Sequence, residues 1–109
     1  MATIDDFKKL EIKIGKILSV EKVPDTDKLL RLEVDFGEEK PRQIISGIAL
    51  HFEDIQTLVG KLCPFITNLE PRIIKGLESN GMIMAASSEK DDFSLMEVSS
   101  TMPAGSEVR

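Results

Sequence analysis

The sequence has no tryptophan and no tyrosine, and its only large aromatic side chains are five phenylalanines. Proteins that bind single-stranded nucleic acid of any sequence stack successive bases on exposed aromatic rings, so the composition disfavours that class. The chain also has a single cysteine, Cys63, and a single histidine, His51. One cysteine cannot form an intrachain disulfide, and the pair falls short of the four ligands of a structural zinc site. We therefore expect no metal and no other cofactor.

Long apolar runs are absent too. No stretch approaches the ~20 apolar residues that a membrane-spanning helix needs, and residues 1–6 are acidic, without the basic and apolar parts of a signal peptide. These features predict a cytoplasmic protein that does not contact a membrane. The chain has 109 residues, of which 41% are hydrophobic and 30% charged, a mixture typical of a globular protein. We expect one domain over residues 1–109.

The net charge of −5 argues against indiscriminate binding to nucleic acid. The charge is unevenly distributed, because residues 40–76 carry five cations against three anions. A locally basic surface on an acidic body can bind one polyanion of a particular shape while repelling others.

The hydrophobic pattern predicts an all-β fold. Thr3, followed three residues later by Asp6, predicts a short N-terminal helix that ends near residue 10, and residues 52–58 predict a second short helix. Gly15 interrupts the first strand and predicts a bulge or a barrel corner. Alternating or apolar segments predict strands at residues 10–20, 30–36, 42–46, 61–67, 81–87 and 93–98. This order favours a five-stranded Greek-key barrel, the OB-fold, with a C-terminal extension; a β-sandwich is the alternative.

Residues 68–82 are the most informative stretch. They carry two cations, two amides, a hydroxyl and two glycines around Pro71, and an apolar run follows at once. Cations bind phosphates, while amides and hydroxyls bind sugars or base edges. The pattern predicts a recognition loop attached to a buried strand. Gly76 and Gly81 have the spacing of a phosphate-binding loop, but Met82 stands where that motif requires lysine. Because no nucleophile and base are recognisable, we predict binding rather than catalysis.

Taken in order, several segments resemble the tRNA-binding domain family, which includes the C-terminal domain of many bacterial methionyl-tRNA synthetases and stand-alone structure-specific tRNA-binding proteins. The resemblance implies an OB-fold homodimer that binds the L-shaped outline of tRNA and takes no part in chemistry. A methionyl-tRNA synthetase catalytic chain is a further implied partner. The matching segments are residues 4–7, 14–17, 23–29, 42–49, 58–61, 68–72, 76–82, 85–86 and 103–105.

The resemblance also implies which residues contact tRNA. They combine cations, amides, a hydroxyl and one methionine: Lys28, Arg42, Asn68, Arg72, Lys75, Ser79 and Met82. Three weaker candidates are Arg31, Ser46 and Asn80, and Gly76 and Gly81 would shape the loop. Family members often carry a second cation beside Arg72, where this chain has Ile73, and they are commonly more basic. Both departures lower the expected affinity for tRNA.

Two expectations concern other functions and assembly. A small export-related chaperone is a more distant relative, so a chaperone or protein-binding OB module is the alternative function; that branch lacks the pieces corresponding to residues 46–49 and 79–82. For the homodimer, residues 93–108 are the expected interface, because Leu95, Met96 and Val98 exceed what a short last strand needs to bury. The alternative is that these three residues only seal the end of the barrel.

Overall fold

The central feature of the structure is an antiparallel five-stranded barrel. The computed structural model describes residues 1–109. Five strands form the barrel in the order β3-β2-β1-β4-β7, which confirms the predicted OB architecture. Two short hairpins, β5–β6 and β8–β9, complete the chain. The strands are β1 (Ile12–Lys22), β2 (Leu30–Asp35), β3 (Arg42–Ser46), β4 (Leu62–Ile66), β5 (Arg72–Ile74), β6 (Leu77–Ser79), β7 (Met82–Ile83), β8 (Ala85–Ser87) and β9 (Phe93–Leu95).

Strand β1 is long because it serves both halves of the barrel. Its first part pairs with β4, and its second part pairs with β2. The pairing register shifts between Ile17 and Ser19, so the bulge lies there and not at Gly15. The extra residue lets Ile17 and Val20, three positions apart, both point into the core. Gly15 instead allows a close approach, because a Cβ there would lie 2.5 Å from Val34 and 2.6 Å from Phe36.

The core follows the predicted alternation. In β2, Leu30, Leu32 and Val34 are completely buried, while Arg31 and Glu33 point outward. Fourteen buried residues from the barrel strands, residues 48–58 and β9 form one cluster. Leu95 belongs to that cluster, so it seals the barrel end, whereas Met96 is exposed.

The barrel closes through side chains as well as backbone. The last barrel strand, β7, has only two residues, too few to complete a ladder with β3. The Ser79 hydroxyl instead accepts a hydrogen bond from the Ile45 amide at 2.9 Å, and the Asn80 amide donates to the Gln43 carbonyl at 2.9 Å. The Gln43 side chain donates to the Glu78 carbonyl at 2.8 Å. We call residues 78–81 and their partners on β3 the seam.

The C-terminal extension pairs with the first part of β1, along the edge that β2 does not reach. The amide of Ile14 donates to the Ser106 carbonyl at 2.8 Å, and the amides of Gly105 and Val108 donate to the carbonyls of Ile14 and Ile12. Residues 105–108 therefore run beside the first part of β1.

Helical structure is scarcer than predicted. Helix α1 (Ile4–Phe7) begins with the predicted cap, in which Thr3 and Asp6 bond each other's backbone amides. It ends after one turn. In place of the second helix there are two 3-10 turns, Ala49–His51 and Ile55–Leu58. The predicted fifth strand is divided between β7 and β8 at Met84, whose amide donates to the Pro64 carbonyl.

We predict that Gly15→Ala destabilises the protein by about 1–3 kcal/mol, because its methyl group overlaps two core side chains that have no room to move. Gly47→Ala is the matched control, since the nearest atom to a Cβ there is 3.8 Å away, and we expect a change within about 0.5 kcal/mol. Urea unfolding monitored by circular dichroism measures both. Equal losses of stability in the two variants would contradict the close-approach explanation.

Candidate functional site

The predicted recognition loop is a tight β-hairpin. In this hairpin Arg72 of β5 pairs with Ser79 of β6, and Ile74 pairs with Leu77. Lys75 and Gly76 alone therefore form the turn. Both have positive φ, 51° for Lys75 and 79° for Gly76, as two-residue turns that match the twist of the strands require. Lysine is unusual in that conformation, which favours Asn, Asp or Gly. The turn therefore carries local strain at the position of a cation.

The hairpin displays two cations that have no intramolecular partner. Arg72 and Lys75 are exposed and neither forms an ion pair or a side-chain hydrogen bond. Ile73 between them is 70% exposed. Arg72 and the half-exposed Met82 border a small pocket of about 60 Å³ that also includes Ile45 and Ser79. Glu70 lies on the same pocket and reduces the local positive charge.

Lys28 lies in the loop between β1 and β2, close to the C-terminal end of β3. The Lys28 carbonyl accepts a hydrogen bond from the Ala49 amide at 3.0 Å, just beyond the end of that strand. Its side chain is exposed and passes beside Gly47. In OB-folds the loop between the first two strands and the loop between the last two flank the ligand-binding face. Lys28 and the hairpin occupy these two loops.

Arg42 is already engaged within the protein. Its guanidinium donates two hydrogen bonds to the Glu38 carboxylate, at 2.8 and 2.9 Å, and a third to the Thr67 carbonyl at 2.7 Å. The hydrogen bonds with Arg42 lower the pKa of Glu38, and Glu38 in turn raises the pKa of Arg42. The guanidinium also lies 5.4 Å from the centre of the Phe36 ring. Arg42 therefore ties the loop between β2 and β3 to the end of β4.

Asn68 and Ser79 also have structural hydrogen bonds. The Asn68 side chain accepts from the Glu11 amide and donates to the Lys9 carbonyl, both at 2.8 Å, which fixes the start of β1. Ser79 is buried, and its hydroxyl is used in the seam. Ser79 therefore has no free polar group to offer unless these bonds break, whereas the exposed Asn68 amide keeps one N–H donor and one lone pair.

The three weaker candidates are also either bonded within the protein or partly buried. Arg31 is exposed but forms an ion pair with Glu21 at 3.1 Å. Ser46, at the end of β3, and Asn80, in the seam, are half-buried. Gly76 and Gly81 have positive φ, 79° in the hairpin turn and 141° at its exit.

Gln43 is a positioning residue that the sequence pattern did not reveal. Its amide donates to the Glu78 carbonyl and thereby holds β6, the hairpin strand beside β3. In the sequence Gln43 is only a polar residue between Arg42 and Ile44, which is equally typical of a solvated side chain.

The structure contains no group of three or more His, Cys, Asp and Glu side chains that could hold a metal ion, and no helix long and apolar enough to cross a membrane. Cys63 is completely buried. Burial raises the pKa of its thiol to about 11, so the nucleophilic thiolate does not form near neutral pH.

Comparison with known proteins identifies relatives over nearly the whole chain. A family model described as "Putative tRNA binding domain" matches residues 12–107. A methionine–tRNA ligase of Thermotoga maritima is 47% identical over 106 residues, which are 97% of this chain and 16% of that protein. The chain thus spans about one sixth of the length of this curated relative.

Two solved structures are similar over nearly their full length. One is a MetRS-related protein from Pyrococcus horikoshii, with a TM-score of 0.93, 36% sequence identity, and coverage of 100% of this chain and 98% of the other. The second is the chaperone CsaA from Bacillus anthracis, with a TM-score of 0.87, 27% identity and coverage of 100% and 99%.

The strained turn generates a prediction about stability. We expect Lys75→Asn to raise the free energy of unfolding by up to about 1 kcal/mol, because asparagine tolerates positive φ better than lysine. Lys40→Asn removes the same charge at a position without positive φ and should give no such gain. Urea unfolding of both variants distinguishes relief of backbone strain from a general effect of charge.

Proposed function

Because this chain belongs to the tRNA-binding domain family, we propose that it binds folded tRNA through the β5–β6 hairpin and the Lys28 loop, and takes no part in catalysis. The family match covers residues 12–107. The observation that carries the proposal is the position of three exposed cations without ion-pair partners, Lys28, Arg72 and Lys75, in the two loops that flank β3.

The chemistry of this surface fits recognition of tRNA by shape. Folded RNA is bound mainly through phosphate and 2′-hydroxyl contacts, whereas unstructured RNA is bound by stacking on aromatic rings. The hairpin offers cations and Met82 but no aromatic ring. The acidic remainder of the chain disfavours contacts with any other part of a polyanion. Affinity then depends on whether phosphates lie at the spacing that the two loops set.

We further propose that residues 1–109 act as one unit that serves a methionyl-tRNA synthetase in the cytoplasm, either within its chain or as a separate subunit. The support is the identity with methionine–tRNA ligases over a small part of their length. In such an arrangement the domain increases affinity for tRNA, and the catalytic chain performs the reaction.

A chaperone or protein-binding function is the second candidate, and similarity to the chaperone CsaA is the observation that favours it. This chain is 27% identical to that chaperone, compared with 47% for a methionine–tRNA ligase. The exposed cations of the hairpin also suit an anionic partner better than an unfolded chain. We therefore give preference to tRNA.

We predict that Arg72→Ala weakens tRNA binding by about 10- to 100-fold, the usual effect of losing one charge-assisted hydrogen bond. The slope of log affinity against log salt should decrease by about one phosphate contact. Because Arg72 has no intramolecular partner, the melting temperature should remain unchanged. Filter binding or fluorescence anisotropy across a salt series measures affinity and slope together.

The control for that experiment is Lys16→Ala. Lys16 is exposed on β1, which lies opposite the seam in the barrel order, and it has no ion pair. Its loss should leave affinity nearly unchanged. Tight binding of single-stranded RNA of equal length at matched salt, or an unchanged affinity in Arg72→Ala, would contradict the proposed surface.

We also propose that the protein is a homodimer, since one copy presents few cations to a large RNA. The terminal face, formed by Ile4, Phe7, Leu10 and Val108, supports a second copy as the partner. All four side chains are exposed. They line a cavity of about 330 Å³ together with three charged residues, Lys8, Glu107 and Arg109.

Helix α1 gives a physical reason for this choice. It has four residues and none is buried, and isolated helices of this length are not stable in water. A two-fold-related copy would cover its apolar side. Such an interface is isologous. This interface would include Val108, at the end of the predicted interface segment 93–108, together with the N-terminal residues. Leu95 of the same segment remains in the barrel core.

We predict that Phe7→Asp converts the dimer to a monomer without unfolding the barrel, because a carboxylate would be buried in the interface without a partner. Sedimentation equilibrium at tens of micromolar measures the change. Val59→Asp, at an exposed apolar residue outside the terminal face, should leave the dimer intact. A wild-type monomer at that concentration that still binds tRNA tightly would refute the dimer.

A further inference from the structure

The turn after β3 presents a flat aromatic surface that no predicted contact uses. The 3-10 turn Ala49–His51 exposes Leu50, at 75%, and His51. The imidazole of His51 stacks on the Phe93 ring, with centroids 3.9 Å apart and planes inclined by 8°. Since Phe93 covers one face of the imidazole and His51 is nevertheless exposed, the exposed area lies on the opposite face and the ring edge.

The stacked rings of His51 and Phe93, called the platform here, are fixed by packing against the barrel. The Phe52 ring meets the Phe93 ring edge-on, with centroids 5.9 Å apart and planes inclined by 87°. Phe52 and Phe93 both pack against the core cluster, and Phe93 is paired with Ser87 in the β8–β9 hairpin. A ring fixed by such packing loses little conformational entropy when a ligand stacks on it.

The platform adjoins one of the proposed phosphate contacts. The amide of Ala49, two residues before His51, donates to the Lys28 carbonyl, and the Lys28 side chain passes beside Gly47. A nucleotide carries a phosphate and a base side by side. Lys28 and His51 thus lie on adjoining loops, and a cation and a flat aromatic face on one surface are complementary to a nucleotide whose base is not paired.

We propose that the free face of His51 stacks on one unpaired nucleobase of the bound tRNA, while Lys28 holds a neighbouring phosphate. The proposal rests on the proposed function, and adds a contact with a base to a surface otherwise made of phosphate contacts. Unpaired bases of folded RNA are accessible for stacking on aromatic side chains, histidine included. The contact selects RNAs that expose a base at the correct distance from the hairpin.

The single histidine makes a direct test possible. In proton NMR the two carbon-bound imidazole protons of His51 are the only histidine signals of the chain, so no further assignment is needed. Saturation with tRNA should move both upfield, because a stacked base shields them by its ring current. A fully paired RNA duplex has phosphates but no unpaired base within it, and should leave both signals near their free positions.

Binding measurements supply the second readout. His51→Ala should reduce tRNA affinity by roughly 5- to 100-fold, the range for loss of one stacked base, with an unchanged salt slope because no phosphate contact is lost. His51→Phe keeps a flat ring and should restore most of the affinity. This pattern differs from that of Arg72→Ala, in which the slope decreases.

The outcomes separate this inference from the proposed function. If tRNA binds and Arg72→Ala weakens it, but the His51 signals do not move upfield and His51→Ala binds as wild type, the stack on Phe93 is only structural and the inference is overturned. If wild-type protein does not bind tRNA at all, the proposed function fails as well.

Discussion

The seam between β3 and residues 78–81 is the constraint on which the rest of the structure depends. A two-residue β7 cannot complete the barrel by backbone pairing alone, so the Ser79 hydroxyl and the Gln43 amide supply the missing hydrogen bonds. Buried polar groups are costly when unpaired, and these bonds therefore also fix the conformation of residues 78–81. The β5–β6 hairpin is attached directly to this segment. The bonds that close the barrel thus determine where the hairpin and its cations lie.

The same constraint divides the polar residues near the hairpin into two groups. Arg42, Asn68 and Ser79 donate to or accept from the protein's own backbone or a neighbouring carboxylate. Arg72 and Lys75 have no such bonds, and their donors are available to a ligand without loss of any intramolecular contact. Rigid support and free cations are therefore provided by different residues. This separation allows a binding residue to be exchanged without unfolding the barrel.

An acidic protein of this size gains selectivity from having few cations. With a net charge of −5, general attraction to RNA is weak, and binding requires several specific contacts at once. The Lys28 loop and the hairpin both contact β3 or the turn after it, and a second copy would repeat this pair of loops across a two-fold axis. Under the proposed function, shape then decides which RNA reaches all contacts together. Lys75, held at positive φ in the turn, illustrates that stability is given up where a cation must project.

Local patterns in the sequence determined much of this fold. Alternation specified β1 and β2, the pair Thr3 and Asp6 specified the helix cap, and the glycines of residues 68–82 marked the irregular segment that forms the hairpin. The prediction of a bulge at Gly15 is wrong, since the register shifts between Ile17 and Ser19. A glycine within a strand is equally compatible with a close approach, and here only the contacts with Val34 and Phe36 reveal it. Cations and amides likewise look alike in the sequence whether they are free or bonded. Tertiary structure alone decided that Arg42, Asn68 and Ser79 are bonded to distant backbone groups, that Arg72 is free, and that His51 lies on Phe93. These partners are 25 to 59 residues apart along the chain, which is further than any local pattern reaches.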